Sequence, residues 1–323
     1  MSKAFLALLL VFSTLIPTAH AVDIPATFSF QGSGYGHGVG LSQMGARYMA
    51  NAGQSAEQII KYFYKDVEIE PKDDSKILRV NIGNLISSAK ISSTSKGSQL
   101  QIIQGDVGSE SVIPVFSLAD SISFSVIGST SFWPIAALEA QAIASRTYAL
   151  SKAGVYKSAC DCDLYGSISD QTFLGYAKEI EKKFGVVWKD VVTRTAGLTI
   201  TQSGLPITAY FSSSSGGKTE LALNAWGSAK AYTQIVDDPG SLDLSINPRF
   251  VAWNREVPQS VIAAAFDLPD VVSLEILGIN ESGTVAQIQA ISSTGVKVAL
   301  RGELFRSRTK IPSAWFSLVS MQN

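Results

Sequence analysis

Glycine stands at every second position from Gly32 to Gly40 in the stretch QGSGYGHGVGLSQMGA. In an extended chain alternate residues face opposite ways, so the glycines would leave one face bare. Ser33, Tyr35, His37 and Val39 would line the other. A bare backbone admits another backbone, or a flat sugar ring, at very short range. A glycine-rich bulge at a strand end, with His37 satisfied in the core, is the alternative. The spacing excludes a phosphate loop, which needs G-x-x-x-x-G-K-[ST], and a dinucleotide fingerprint, which needs G-x-G-x-x-G.

The 323 residues are 46% hydrophobic, enough for one large core or two lobes sharing a cleft. A formal charge of −1 provides no broad basic face, so nucleic acid is not expected as a partner. Lys3 precedes the apolar run AFLALLLVFSTLI, and Ala19 and Ala21 suit an A-x-A cleavage site. That run falls short of the ~20 residues that cross a bilayer. The expectation is a signal peptide over 1–21, no membrane span after its removal, and an exported protein. Cys160 and Cys162 are separated by one residue. A disulfide, a free thiol pair and a shared metal site all stay open.

LSQMGARYMANAG and SAEQIIKYFYKD read as helices, the second with Ser55 and Gln58 spaced as a capping box. ILRVNIG, QLQIIQ and SISFSVIG read as strands around the polar SSAKISSTSKGS. Residues 133–154 give the strongest helix pattern, with Pro134 at its start, Gly154 at its exit and many alanines between. LTITQ and LPITAYF form a hairpin about Ser203 and Gly204, and SSSSGGKTE follows as turn chemistry. SLEILGI, TVAQIQAISS and VKVALRG alternate as strands. Helices and strands mix without a βαβ rhythm, so the expected class is α+β, with mostly antiparallel sheets and a few helices framing a groove. One domain is expected over 22–323, divisible into lobes 28–128 and 129–323.

GYGHGVGLSQMGA resembles the G-x-GHG-x-G-[ML]-SQ-x-GA signature of the SpoIID/LytB family, and AALEAQAIASRTYAL its EALKAQA-x-AARTYAL block. DQTFLGY, AGLTITQSGLPITAYFSSSSGGKTE and FRSRTKIPSAWF resemble further family blocks. The GHG block comes first here, as in a permuted branch of that family. The resemblance implies engagement of peptidoglycan glycan strands. In one kind of member a glutamate cuts strands stripped of stem peptides, as general acid and then base in a lytic transglycosylase reaction. In the other kind, the amidase enhancer, the protein assists a separate cell-wall amidase. No cofactor and no resident metal are expected.

By the same resemblance the catalytic glutamate should precede Trp133 by five residues, and Gly128 stands there. Glu139 and Glu220 are the substitute acids considered. Tyr35, Gly36, His37, Gly38, Ser42, Gln43, Arg146, Tyr148, Ser213, Ser214, Ser215, Gly216 and Gly217 are the candidate substrate contacts. The family histidine before the serine loop corresponds to Ser212, which weakens a zinc site. The expectation is a wall-binding protein that assists a partner hydrolase; an active transglycosylase with a substitute acid is the alternative.

Overall fold

The computed structural model describes residues 23–81, 99–103, 111–117, 133–172 and 184–319. The expected signal peptide, Gly128, the polar SSAKISSTSKGS stretch and the expected SISFSVIG strand lie outside these residues, as does most of DQTFLGY.

Helices and antiparallel sheets mix as expected for α+β. The helices are α1 (Gln43–Asn51), α2 (Ala56–Phe63), α3 (Ile135–Lys152), α4 (Phe184–Arg194), α5 (Ala222–Trp226), α6 (Pro239–Leu242), α7 (Gln259–Phe266) and α8 (Gly302–Thr309). Several of these follow from local chemistry. Ser42 Oγ accepts the Gly45 N–H at 3.1 Å and starts α1. Ser55 and Gln58 form the expected reciprocal cap of α2. Ser203 and Gly204 both adopt positive φ, 52° and 76°, in the two-residue turn between the Leu198–Gln202 and Leu205–Pro206 strands. Helices α4, α7 and α8 were not anticipated from the sequence pattern.

Helix α3 is buried on nearly every side, from Ala137 to Leu150. Its alanines let α1, α2, α4 and the Leu198–Gln202 strand approach closely. A helix so enclosed must satisfy its polar side chains within the core. Thr147 Oγ1 donates to Ile143 O at 2.7 Å and accepts the Ile200 N–H at 2.8 Å. Gln141 donates to Ser145 Oγ at 2.9 Å and accepts from Gln43 at 3.2 Å.

One core gathers Leu41, Ile59, Ile60, Phe63, Ile143 and Val191 around α1 to α4. A second gathers Phe28, Phe30, Trp253, Phe266, Ile288, Phe305 and Phe316. In that second core, strand Thr27–Gly32 lies between Trp253–Pro258 and Phe316–Leu318, antiparallel to both. Each core thus draws residues from both sides of the 128/129 division expected from the sequence. The glycine run leaves the second core at Gly32 and enters the first at Leu41, so it crosses the seam between them.

Candidate functional site

The glycine run is not a flat extended ribbon. Gly34, Gly36, Gly38 and Gly40 take φ of 86°, 112°, 72° and 73°, so every second residue sits in a region that side chains avoid. The period of two therefore reflects backbone conformation as well as space. The space is filled by protein. A Cβ on Gly34 would lie 2.7 Å from Gly216 N, and one on Gly40 would lie 2.2 Å from Tyr210 O. Backbone hydrogen bonds complete the union. Tyr35 and Ser214 exchange two, at 2.9 and 3.2 Å, and Gly38 O accepts from Glu220 N at 2.9 Å. The face expected to admit sugar is thus covered by residues 210–220.

Much of the serine loop is turned inward. Ser214 and Ser215 are 0% and 2% exposed. Ser215 Oγ donates to Asp238 Oδ2 at 2.7 Å, and its N–H donates to Ser241 Oγ at 2.9 Å. Ser42 is buried as a helix cap. Gly38 and Gly216 are buried also, while Gly36, Gly217, Gln43 and Ser213 stay partly exposed. Tyr35 is 49% exposed and stacks on Phe250 with centroids 4.4 Å apart.

His37 is held firmly. Its Nδ1 accepts the Val39 N–H at 3.0 Å, which leaves the ring proton on Nε2 in the neutral form. Its ring meets the edge of Trp226 at 5.0 Å and lies 6.3 Å from Tyr210. Desolvation, helped by the nearby Arg306 charge, lowers its pKa to about 3, against an opposing backbone hydrogen bond at Phe211. It is a neutral imidazole at physiological pH.

Arg146 is anchored rather than presented. Its guanidinium donates to Leu198 O and Val192 O at 3.2 Å, and its Nε lies 3.4 Å from an Asp74 carboxylate oxygen. At 1% exposure it pins α3 to α4 and the following strand. Tyr148, 8% exposed, donates its hydroxyl to Asp170 at 2.8 Å. Burial, with the Asp170 charge beside it, pushes the phenol pKa upward.

The two candidate acids are not brought together. Glu139 pairs with Arg194 of α4 at 3.5 Å. It lies two residues, about 200° of helix, from Gln141, which faces Gln43. Glu139 therefore points away from the glycine run. Glu220 is 2% exposed and saturated with donors. Oε1 accepts from Leu221 N at 2.6 Å and Asn224 Nδ2 at 2.8 Å. Oε2 accepts from Asn280 at 3.1 Å, Ser282 at 2.5 Å and Thr284. Such a carboxylate ties the 220 region to the 280–284 turn and has no lone pair left for a substrate.

Beside it lies a residue that the sequence did not single out. Glu303, at the start of α8, lines a small cavity with His37, Glu220, Asn224, Asn280 and Thr284. Desolvation raises its pKa; Arg306, bonded at 2.7 to 3.0 Å, opposes this, and the Glu220 charge adds to it. Nothing local in GELFRSRT marks this glutamate, because the His37, Glu220 and Asn224 that share its cavity come from more than 60 residues away. Asp238, Tyr210 and Trp226 escaped notice for the same reason.

Cys160 and Cys162 form a disulfide with Cα atoms 5.2 Å apart, so neither serves as a thiolate ligand. Among the described residues, no helix is long and apolar enough to cross a membrane.

The SpoIID/LytB resemblance read from the sequence blocks is supported, over part of the chain, by comparison with known proteins. Residues 126–202 match the SpoIID family model, described as stage II sporulation protein. A stage II sporulation protein D of Bacillus amyloliquefaciens is 47% identical over 47 residues, 15% of this chain and 14% of the relative. The protein of that name in Bacillus subtilis (strain 168) is 48% identical over 40 residues, 12% of each chain. An amidase enhancer of the same organism is 49% identical over 37 residues, 12% of this chain and 5% of the relative. The matched segments thus span less than a sixth of these relatives.

Proposed function

We propose that this is an exported cell-wall protein that engages peptidoglycan glycan strands and assists a partner hydrolase, a cell-wall amidase, without cutting glycan itself. The observation that carries this reading is the commitment of both candidate acids. Glu220 is saturated by five donors, and Glu139 pairs with Arg194 on the far side of α3. A general acid needs a carboxyl within reach of the glycosidic oxygen. Gly128, where the resemblance places the catalytic glutamate, has no proton to give. The name of the amidase enhancer supports an assisting role.

Strand engagement would fall to the partly exposed groups along the seam: Tyr35, His37, Gln43, Ser213 and Gly217. Tyr35 presents a broad aromatic face with a polar tip, suited to a sugar ring. The buried members, Ser42, Arg146, Ser214 and Ser215, would set the shape of that surface from beneath.

Lytic transglycosylation is the second reading, and Glu303 favours it. A carboxyl with a raised pKa beside a cavity suits a general acid. Against it stands the bidentate hold of Arg306.

Incubation of the mature protein with glycan strands lacking stem peptides, followed by mass spectrometry for anhydro-muramyl ends, decides between them. The expected result is strand binding without new anhydro ends. Turnover that Glu303→Gln abolishes in a folded protein would establish the second reading instead.

A further inference from the structure

Three partly exposed rings, Tyr210, Phe211 and Trp226, adjoin the glycine seam on its His37 side. Tyr210 and Trp226 lie with centroids 4.6 Å apart, tilted by 45°. Tyr148 backs them, 6.3 Å from Tyr210 and 6.4 Å from Phe211. His37 closes the far edge against Trp226. Neighbouring rings that keep part of their surface in water, two of them with a polar atom, offer an apolar floor of the kind that takes the C–H face of a sugar.

A cation stands over the Tyr148 ring that backs this floor. Lys152 Nζ lies 5.3 Å from the centroid of the Tyr148 ring. The carboxylate nearest to it in charge, Asp170, is already engaged. Asp170 accepts from the Tyr148 hydroxyl at 2.8 Å, from Tyr165 N at 2.8 Å and from Lys157. Among the described residues Lys152 has no ion-pair partner, and Lys157 and Lys230 add positive potential around it. Burial and these two lysines hold its pKa below the ordinary range, with Asp170 opposing them. An ammonium kept partly dry and unpaired gains from a ligand anion.

We propose that Tyr210 and Trp226, with Lys152 at their edge, form a subsite for a carboxylate-bearing sugar residue. This rests on the proposal that the chain engages a glycan strand, and it adds which chemical feature of the strand is read. The rings take the pyranose face, and Lys152 takes the acid. The locked neutral tautomer of His37 fixes the angle of Trp226 and adds no charge of its own.

The test uses denuded glycan strands in two forms, intact and with their carboxylates reduced to alcohols. Binding is measured by isothermal titration. For the wild-type protein, reduction of the strand should weaken binding by about tenfold, the loss of one charge-assisted contact. Lys152→Met should bind intact strands as weakly as the wild type binds reduced ones, and should not distinguish the two forms. Trp226→Leu, checked for folding by circular dichroism, should weaken both. Equal wild-type affinity for the two forms, or discrimination retained by Lys152→Met, overturns the subsite while leaving strand engagement intact. Failure of the wild type to bind either form overturns strand engagement itself, and the subsite with it.

Discussion

Tyr35 and Ser214 exchange both backbone hydrogen bonds, at 2.9 and 3.2 Å, although 179 residues separate them. This pairing brings the glycine run and the serine loop into one unit at the seam between the two large cores. It also explains the glycines. The loop lies where side chains on Gly34 and Gly40 would otherwise be.

Gly40→Ala should therefore be among the most damaging small substitutions. It adds a left-handed φ penalty of about 1–2 kcal/mol to a contact with Tyr210 O that has no room to relax. A total loss of about 3 kcal/mol is expected from urea unfolding. Gly53→Ala shares the positive φ, but nothing lies within 4 Å of its Cβ. It should cost about 1 kcal/mol. Equal losses at the two positions would mean that the loop yields.

Glu220→Ala should act on the fold. It removes the acceptor that the side chains of Asn224, Asn280, Ser282 and Thr284 share, and a loss above about 3 kcal/mol is expected. Glu139→Gln breaks only a partly exposed pair and should cost less than about 1 kcal/mol. Thermal melting of the two variants separates a buried anchor from a surface pair. A fully stable Glu220→Ala would return Glu220 to the list of acids.

The His37 environment predicts a slope of stability with pH. Its folded pKa, about 3, is depressed below the ordinary 6.5. Between these values the unfolded chain binds more protons, so stability rises with pH and is lost as pH falls below 6.5. The slope cannot exceed about 1.4 kcal/mol per pH unit for one group. His37→Asn should remove that component from urea unfolding series run between pH 4 and 7. An unchanged slope in the variant would place the titrating group elsewhere.

Arg146→Lys should be poorly tolerated. A single ammonium cannot reach Val192 O, Leu198 O and the Asp74 carboxylate together, as the planar fork does. A loss of about 2–4 kcal/mol in chemical unfolding is expected for a charge left partly unpaired at 1% exposure. A near-neutral result would show that α3 does not depend on this anchor.

The sequence by itself determined the elements whose signals act within a few residues. Ser55 and Gln58 cap α2, Ser203 and Gly204 turn a hairpin, and the alanines of α3 specify a helix that neighbours can crowd. It also carried the family blocks and the absence of an acid at Gly128. The tertiary structure decided which of the candidate groups face solvent. Ser215 turned inward to Asp238, Arg146 became an anchor, and Glu220 found donors 60 to 64 residues further along. Glu303 came to the His37 cavity from the far end of the chain. Caps and turns are set by the chain's own neighbouring atoms. The fate of a polar side chain depends on which distant segment reaches it first, and that follows from how the two cores close on each other rather than from any local pattern.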